Sequence, residues 1–377
     1  AGVQWRAMIA GVESGQAARI RRRLMAWYGR RRRDLPWRGR IEPYGVWLSE
    51  IMLQQTQVAT VIPYYARFLR RFPTVERLAS AEPDDVLRLW AGLGYYARAR
   101  SLHRAARTIV GELGGTFPET AEAWRRLPGV GRYTAGAIAS IVYNERAAAV
   151  DGNAARVLGR LFAPETRPRD AADRERVWRL AEALLPRRRC GDFNQALMEL
   201  GATVCLPGRA ARCPACPLRT QCAARLRGTV VDVRGSESAT RRGSVKEETH
   251  VVAALRLDGR WLFVRRPPGG LWGGLWSLPT DVLNGEKTAT LAKNVVRELG
   301  YPAARVRRRP FCELTHKLTH RTIRFVGHVC SLEPPGRHRK AGAAGSALWL
   351  TLEGCASVGV STGMRKVLAA LRAAVAD

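Results

Sequence analysis

Residues 127–137 read Leu-Pro-Gly-Val-Gly-Arg-Tyr-Thr-Ala-Gly-Ala, and this stretch decides the fold of the first half of the chain. An apolar helix end stops at Pro128, two glycines follow within three residues, and a small-residue helix begins at about Thr134. Gly129 and Gly131 permit a tight reversal and a close backbone approach by whatever lies opposite. The hairpin formed by Gly129, Val130 and Gly131, with the N-terminus of the next helix, presents amide N–H groups suited to an anionic oxygen, above all a nucleic-acid phosphate. A bare Gly-x-Gly is common in turns. Leu127-Pro128 before it and the Ala/Gly-rich helix after it give the pattern its specificity.

Outward from the hairpin, apolar residues recur at three- and four-residue spacing over 46–61, 86–90, 102–113, 135–143 and 177–185, with Pro63, Pro73, Pro83, Gly92, Gly94, Pro118 and Pro128 between or inside the runs. This predicts an all-helical module over 18–225. Residues 226–248 carry few large apolar groups and read as a linker. Beyond it, 250–257 and 261–264 read as strands joined by a turn at Asp258-Gly259, 322–330 and 347–352 as further strands, and 289–299 and 363–374 as helices. The expected fold is multidomain: an all-α domain, then an α/β domain over 249–377, without internal repeats.

The chain has 377 residues and a net charge of +31, from 63 Lys+Arg against 32 Asp+Glu. Such a surface fits a polyanionic partner. A high-GC genome also enriches Arg and Ala, and accounts for part of the excess. The run 19–40 holds ten Arg and one acid, Asp34, and a solvated face explains it as well as phosphate contacts do. No apolar run is long enough to span a bilayer, so no membrane association is expected. No export signal is recognisable either, and the expected location is the cytoplasm of a bacterium, at the nucleoid. Four of the eight cysteines crowd together as Cys205-x7-Cys213-x2-Cys216-x5-Cys222. That density points to a metal or cluster site rather than to disulfides; a [4Fe–4S] cluster and zinc are both open to four thiolates.

Residues 43–58 read Pro-Tyr-Gly-Val-Trp-Leu-Ser-Glu-Ile-Met-Leu-Gln-Gln-Thr-Gln-Val. With Leu35-Pro36-Trp37-Arg38 before them, Leu93-Gly94-Tyr95-Tyr96 after them, the hairpin, and Val150-Asp151-Gly152-Asn153, they resemble the MutY family of adenine DNA glycosylases, members of the helix-hairpin-helix glycosylase superfamily. The resemblance runs over roughly 25–370. It implies a catalytic pair, Glu50 and Asp151, with Tyr133 against the sugar. It also implies that Gln55 and Tyr95 probe or wedge the duplex, that Trp37, Arg38, Asn153 and Gln195 line the base pocket, and that the cysteines hold a [4Fe–4S] cluster. The family spacing is x6-x2-x5, so this chain carries one extra residue between Cys205 and Cys213.

The residues support the chemistry on their own terms. Glu50 lies among Trp47, Leu48, Ile51 and Leu53, so a pocket-facing carboxyl there is flanked by apolar surface, which keeps it protonated near neutral pH. Adenine leaves poorly as an anion, and a neutral acid that protonates its ring turns it into a neutral leaving group. An ionised Asp151 would then stabilise or trap the cationic sugar, as paired carboxylates do in glycoside hydrolysis. An Asp before Gly is otherwise a common turn or helix cap. In glycosylases that also cut the strand, similar to endonuclease III, a Lys of the hairpin forms a Schiff base; Tyr133 cannot, so a monofunctional enzyme leaving an abasic site is expected.

The segment 249–377 resembles the MutY C-terminal domain, itself similar to Nudix hydrolases. Only Arg297-Glu298 stands where a Nudix helix needs several Glu for Mg²⁺, so no pyrophosphatase activity is expected. In the family a Phe-Ser-His-like turn recognises 8-oxoguanine opposite the adenine, and the counterpart here is Leu318-Thr319-His320. The expected substrate is double-stranded DNA with adenine opposite 8-oxoguanine or guanine, bound by a monomer. An endonuclease III-like glycosylase/lyase on damaged pyrimidines is the runner-up, and a non-catalytic redox-sensing DNA-binding protein a third reading.

Overall fold

The computed structural model describes residues 15–39, 41–162, 171–230, 246–267, 269–318, 320–332 and 346–376. It divides into two units. One is built from the chain up to Ala79 and from Arg104 to Arg241; the other combines Ser80–His103 with the chain from Arg242 onward.

The first unit is helical. Its elements are α1 (Ala17–Arg31), α2 (Pro36–Gly39), α3 (Pro43–Leu53), α4 (Val58–Arg71) and α5 (Val75–Ala79), then α8 (Ala121–Trp124), α9 (Arg132–Tyr143), α10 (Gly152–Phe162), α11 (Ala171–Leu184), α12 (Cys190–Thr203) and α13 (Ala223–Leu226). Between them come α6 (Pro83–Trp90) and α7 (Ala97–Glu112). The run expected to continue over 46–61 is two helices. Pro43 starts α3 at a position where a missing N–H costs nothing, and the chain breaks at residues 54–57, where Gln55 takes a left-handed φ of 57°. Helix α3 buries Tyr44 and every residue from Val46 to Met52, so it has no solvated face on which Glu50 could sit. Two helices that periodicity did not single out, α10 and α12, pack on each other and, with α1, build an apolar core around Ile20, Leu24, Leu158, Phe193 and Leu197.

Helix α9 approaches the chain before Asp151 so closely that a Cβ on Gly136 would lie 2.0 Å from the Ala148 carbonyl oxygen. Asn194 ties the same segment down: its Oδ1 accepts from Ala149 N at 3.2 Å, and its Nδ2 donates to Ala147 O and Ser140 Oγ, both at 2.9 Å. These contacts fix where Asp151 emerges.

In the second unit, β1 (Lys246–Leu257), β2 (Arg260–Arg265), β3 (Trp276–Ser277), β4 (Thr280–Val282), β5 (Arg305–Val306), β6 (Cys312–Lys317), β7 (Arg321–Ser331) and β8 (Ala347–Leu350) form one eight-stranded mixed sheet, with α14 (Thr288–Glu298) and α15 (Thr362–Ala376). Strands β1 and β7 pair in parallel; the other pairings are antiparallel. Apolar cores lie on both faces, Trp261, Phe263, Phe325 and Leu368 in one and Val251, Leu262, Val295 and Cys330 in the other. Asp258 and Gly259 both take positive φ, 46° and 74°, as the expected two-residue hairpin turn requires. The helical segment Ser80–His103 belongs with this sheet although the sequence places it among the helices. Asp84 pairs with Arg265 and accepts from Trp276 Nε1 at 3.1 Å, and Arg100 donates to Gly273 O.

Candidate active site

The hairpin is built as expected. Gly129 has φ 78°, closed to other residues without strain, and Gly131 caps α9, which starts at Arg132, two residues before the position read from sequence. Within the reversal, Val130 N donates to Leu127 O at 3.2 Å and its side chain is buried, so this amide is committed to the turn itself. The N–H groups of the first turn of α9 have no acceptor within the helix.

That same turn aims Tyr133 inward. Its hydroxyl donates to Glu50 Oε2 at 2.6 Å and lies 3.3 Å from Met198 Sδ. Glu50 is 6% exposed. Burial pushes its carboxyl up to about 7; the Tyr133 hydrogen bond opposes this, the Asp151 charge adds to it and Arg38 opposes it. A carboxyl with that value is about half protonated at neutral pH, and that fraction can serve as an acid. Tyr133 is in turn held well above the usual phenol range, first by burial and then by the Glu50 and Asp151 charges, so it stays a hydrogen-bond donor.

Asp151 stands at the mouth of α10 and satisfies both readings of its sequence. It caps the helix, with Oδ1 accepting from Ala154 N at 2.7 Å, while Oδ2 accepts from Asn153 Nδ2 at 2.8 Å. Asn153 Oδ1 accepts from Arg156 Nη2 at 2.7 Å, and Arg156 Nε donates to Cys205 O at 2.8 Å. A continuous chain of hydrogen bonds therefore runs from Asp151 to the backbone of the first clustered cysteine.

Trp37, Arg38, Glu50, Gln55, Tyr133, Asp151, Asn153 and Gln195 all border one cavity of about 920 Å³. Three residues that the sequence did not single out shape its wall. Glu199 is 1% exposed and takes Arg33 through both oxygens, at 2.6 and 3.0 Å, and Arg38 at 3.0 Å. Burial pushes the Glu199 carboxyl up, but the two guanidinium groups outweigh it and hold the group below the usual range. Met198 backs Tyr133, and Gln54 Nε2 donates to Thr134 Oγ1 at 3.1 Å, tying the turn after α3 to the start of α9. The signal for Glu199 was weak: an acid in a helix without periodic apolar character, facing an Arg-rich segment. Arg38 spends Nε on Gln195 Oε1 at 3.1 Å, Nη1 on Arg33 O and Nη2 on Glu199, so Gln195 keeps its amide NH₂ as the donor toward the cavity. Trp37 is buried edge-on to Tyr65.

Tyr95 belongs to the second unit. It is 42% exposed and held at φ 48°, a costly backbone for an aromatic residue. Leu318 is half-buried at the β6–β7 reversal, where its N–H donates to Arg321 O at 2.7 Å, and His320 is exposed. Thr319 lies outside the described residues. Glu298 is exposed at the end of α14.

Cys205, Cys213, Cys216 and Cys222 converge on a second cavity in the first unit, together with Arg160, Arg219 and Arg225. Among the described residues no three His, Cys, Asp or Glu side chains are gathered tightly enough to hold one ion.

The fold and site define a class: a helical unit that carries a two-glycine hairpin beside a buried acid, together with a mixed-sheet unit. Residues 48–183 match the HhH-GPD superfamily of base excision DNA repair proteins, and residues 250–370 match the NUDIX domain. The helical part is similar to a solved thermostable thymine-DNA glycosylase, at 29% identity with a TM-score of 0.52, covering 57% of this chain and 99% of that one. The whole chain is similar to the adenine DNA glycosylases of Rattus norvegicus, at 39% identity over 92% of this chain and 77% of that protein, and of Homo sapiens, at 39% identity over 91% and 72%. The chain belongs to the adenine DNA glycosylase family.

Proposed function

We propose that this protein excises adenine from mispairs in double-stranded DNA, opposite 8-oxoguanine or guanine, by a monofunctional route that leaves an abasic site. The observation that carries the reading is Glu50, a buried carboxyl raised to about 7, bordering with Asp151 a cavity large enough for a flipped base. Glu50 delivers its proton to a ring nitrogen of adenine, from the oxygen that does not accept from Tyr133. As the bond to the sugar lengthens, positive charge develops on the deoxyribose, and the Asp151 carboxylate faces it. Tyr133 keeps Glu50 oriented and offers no amine for a Schiff base. Gln195 and Trp37 hold the base, Gln55 and Tyr95 fill or probe the duplex, and the α9 N-terminus with the Gly129–Gly131 hairpin takes the phosphate. Leu318, Thr319 and His320 read the opposite base.

The four cysteines are proposed to hold a [4Fe–4S] cluster. The donor set supports this: four thiol sulfurs line one cavity, and four thiolates are the ligand set such a cluster takes. Arg160 Nε and Nη2 are buried with no hydrogen-bond partner among the described residues, a polarity that fits sulfur acceptors in that cavity. When bound, the cluster supplies rigidity to the loop 205–222 and a redox-active centre.

Single-turnover base release tests the reading, on duplexes with a central A:8-oxoguanine, A:G, A:T, G:T or oxidised-pyrimidine pair, each product examined with and without alkali. Adenine loss from the first two, with strands cut only after alkali, is expected. Thymine or pyrimidine release, or cutting without alkali, overturns it.

A further inference from the structure

Arg160 stands out among the buried groups that base release leaves unused. It lies on α10, is 1% exposed, and borders the cavity onto which the four cysteines converge. One of its nitrogens is engaged: Nη1 donates to Leu206 O at 2.7 Å and lies 3.2 Å from Cys205 Sγ. Its backbone carbonyl lies 3.4 Å from Cys222 Sγ, so the residue touches the first and the last cysteine of the set. The other two nitrogens, Nε and Nη2, are buried and donate to nothing among the described residues. A buried guanidinium with two orphaned donors carries a large desolvation penalty, and a fold tolerates this where an acceptor is normally present. Leu206 alone would need one N–H; a lysine or a glutamine would serve it.

Resting on the cluster reading, we propose that Arg160 is a positioning residue for the iron–sulfur centre: its forked N–H groups donate to cluster and cysteine sulfurs and set the centre's potential. The physical direction is fixed. Hydrogen bonds to the sulfurs and a nearby positive charge favour the more electron-rich state of the cluster. Arg160 therefore holds the potential up and makes loss of an electron harder, which protects the cluster from oxidative breakdown. Arg156, four residues earlier, does not share the role, because its donors go to backbone carbonyls and to Asn153.

The test uses the iron-loaded full-length protein, with voltammetry of the cluster and the rate of its bleaching by ferricyanide as readouts. Arg160→Met is expected to retain iron, to give a midpoint potential shifted negative, and to bleach several-fold faster than wild type. Arg160→Lys keeps the charge and loses the fork, and is expected to fall between the two. If Arg160→Met does not fold, Arg160→Lys carries the test. A wild-type potential and bleaching rate in whichever iron-loaded variant is measured overturns the proposal, since hydrogen bonds to the sulfurs cannot be removed without moving the potential. Stoichiometric zinc without iron in the wild-type protein is a different result: it removes the cluster reading itself and is seen before any variant is made.

Discussion

Two buried glutamates border the same cavity, and their surroundings drive them to opposite charge states. Glu50 sits in a helix buried on all sides, and the one group that hydrogen-bonds its carboxyl is a neutral phenol. Glu199 is also buried, yet two arginines bind it. Burial raises both; only Glu199 has cations close enough to reverse the effect. One carboxyl is thereby kept as a proton donor, while the other is a fixed anion that anchors the Arg38–Gln195 side of the pocket. Burial alone does not define a catalytic acid; its partners do.

The largest effects follow from breaking the Glu50 side. Glu50→Gln should slow adenine release by about 10²–10⁴-fold in single-turnover assays while mispair binding, followed by gel shift, persists. The same substitution should stabilise the helical unit at pH 8. A carboxyl raised from 4.5 to about 7 contributes its stability below its unfolded value and loses it as pH rises through the folded one. The difference from wild type, read from melting curves, should approach about 3 kcal/mol above pH 7 and vanish near pH 4. Equal melting of the two proteins at every pH would contradict the raised value.

Glu199→Ala should act with the opposite sign, destabilising by about 3–5 kcal/mol, because Arg33 and Arg38 lose their partner in a buried setting. Its carboxyl is depressed, so its contribution is present above the unfolded value and fades as pH falls through the folded one. A smaller effect sharpens the contrast. Wild-type base release should decline as pH rises through about 7, and Tyr133→Phe, by removing a hydrogen bond that favours ionised Glu50, should move that limb to higher pH. An unmoved limb would mean that Tyr133 does not tune the acid. Leu318→Phe should have the least effect, raising preference for 8-oxoguanine over guanine opposite adenine by the roughly 0.5–1.5 kcal/mol that aromatic stacking contributes. It is checked by comparing release from the two duplexes.

The hairpin and its glycines, Glu50 among apolar neighbours, Asp151 at a helix start, the cysteine spacing and the change to a strand-rich C-terminal segment were legible in sequence because each is local. Periodicity, turn chemistry and short motifs involve residues within one or two turns of each other. The break at residues 54–57 was not legible, since apolar spacing continues through it while Gln55 adopts a left-handed backbone. Helix α12 escaped notice because small and apolar residues occupy more than one of its faces, as burial among other helices allows; α10 escaped although Ala154, Val157, Leu158 and Leu161 recur at helical spacing, its short run being broken by the buried Arg156 and Arg160.

The sequence by itself determined which chemical groups this protein brings to a base: an acid, a carboxylate, a phenol without a Schiff-base amine, and four thiols. Only tertiary structure decided their states. Glu50 is an acid because folding buries it in α3, which outweighs the hydrogen bond from Tyr133, 83 positions away, and Glu199 is an anion because two arginines more than 150 positions distant pair with it. The segment 80–103 joins the sheet because Asp84 meets Arg265 and Trp276. Protonation and domain membership depend on distance and solvent exclusion, and a linear chain sets neither until it is folded.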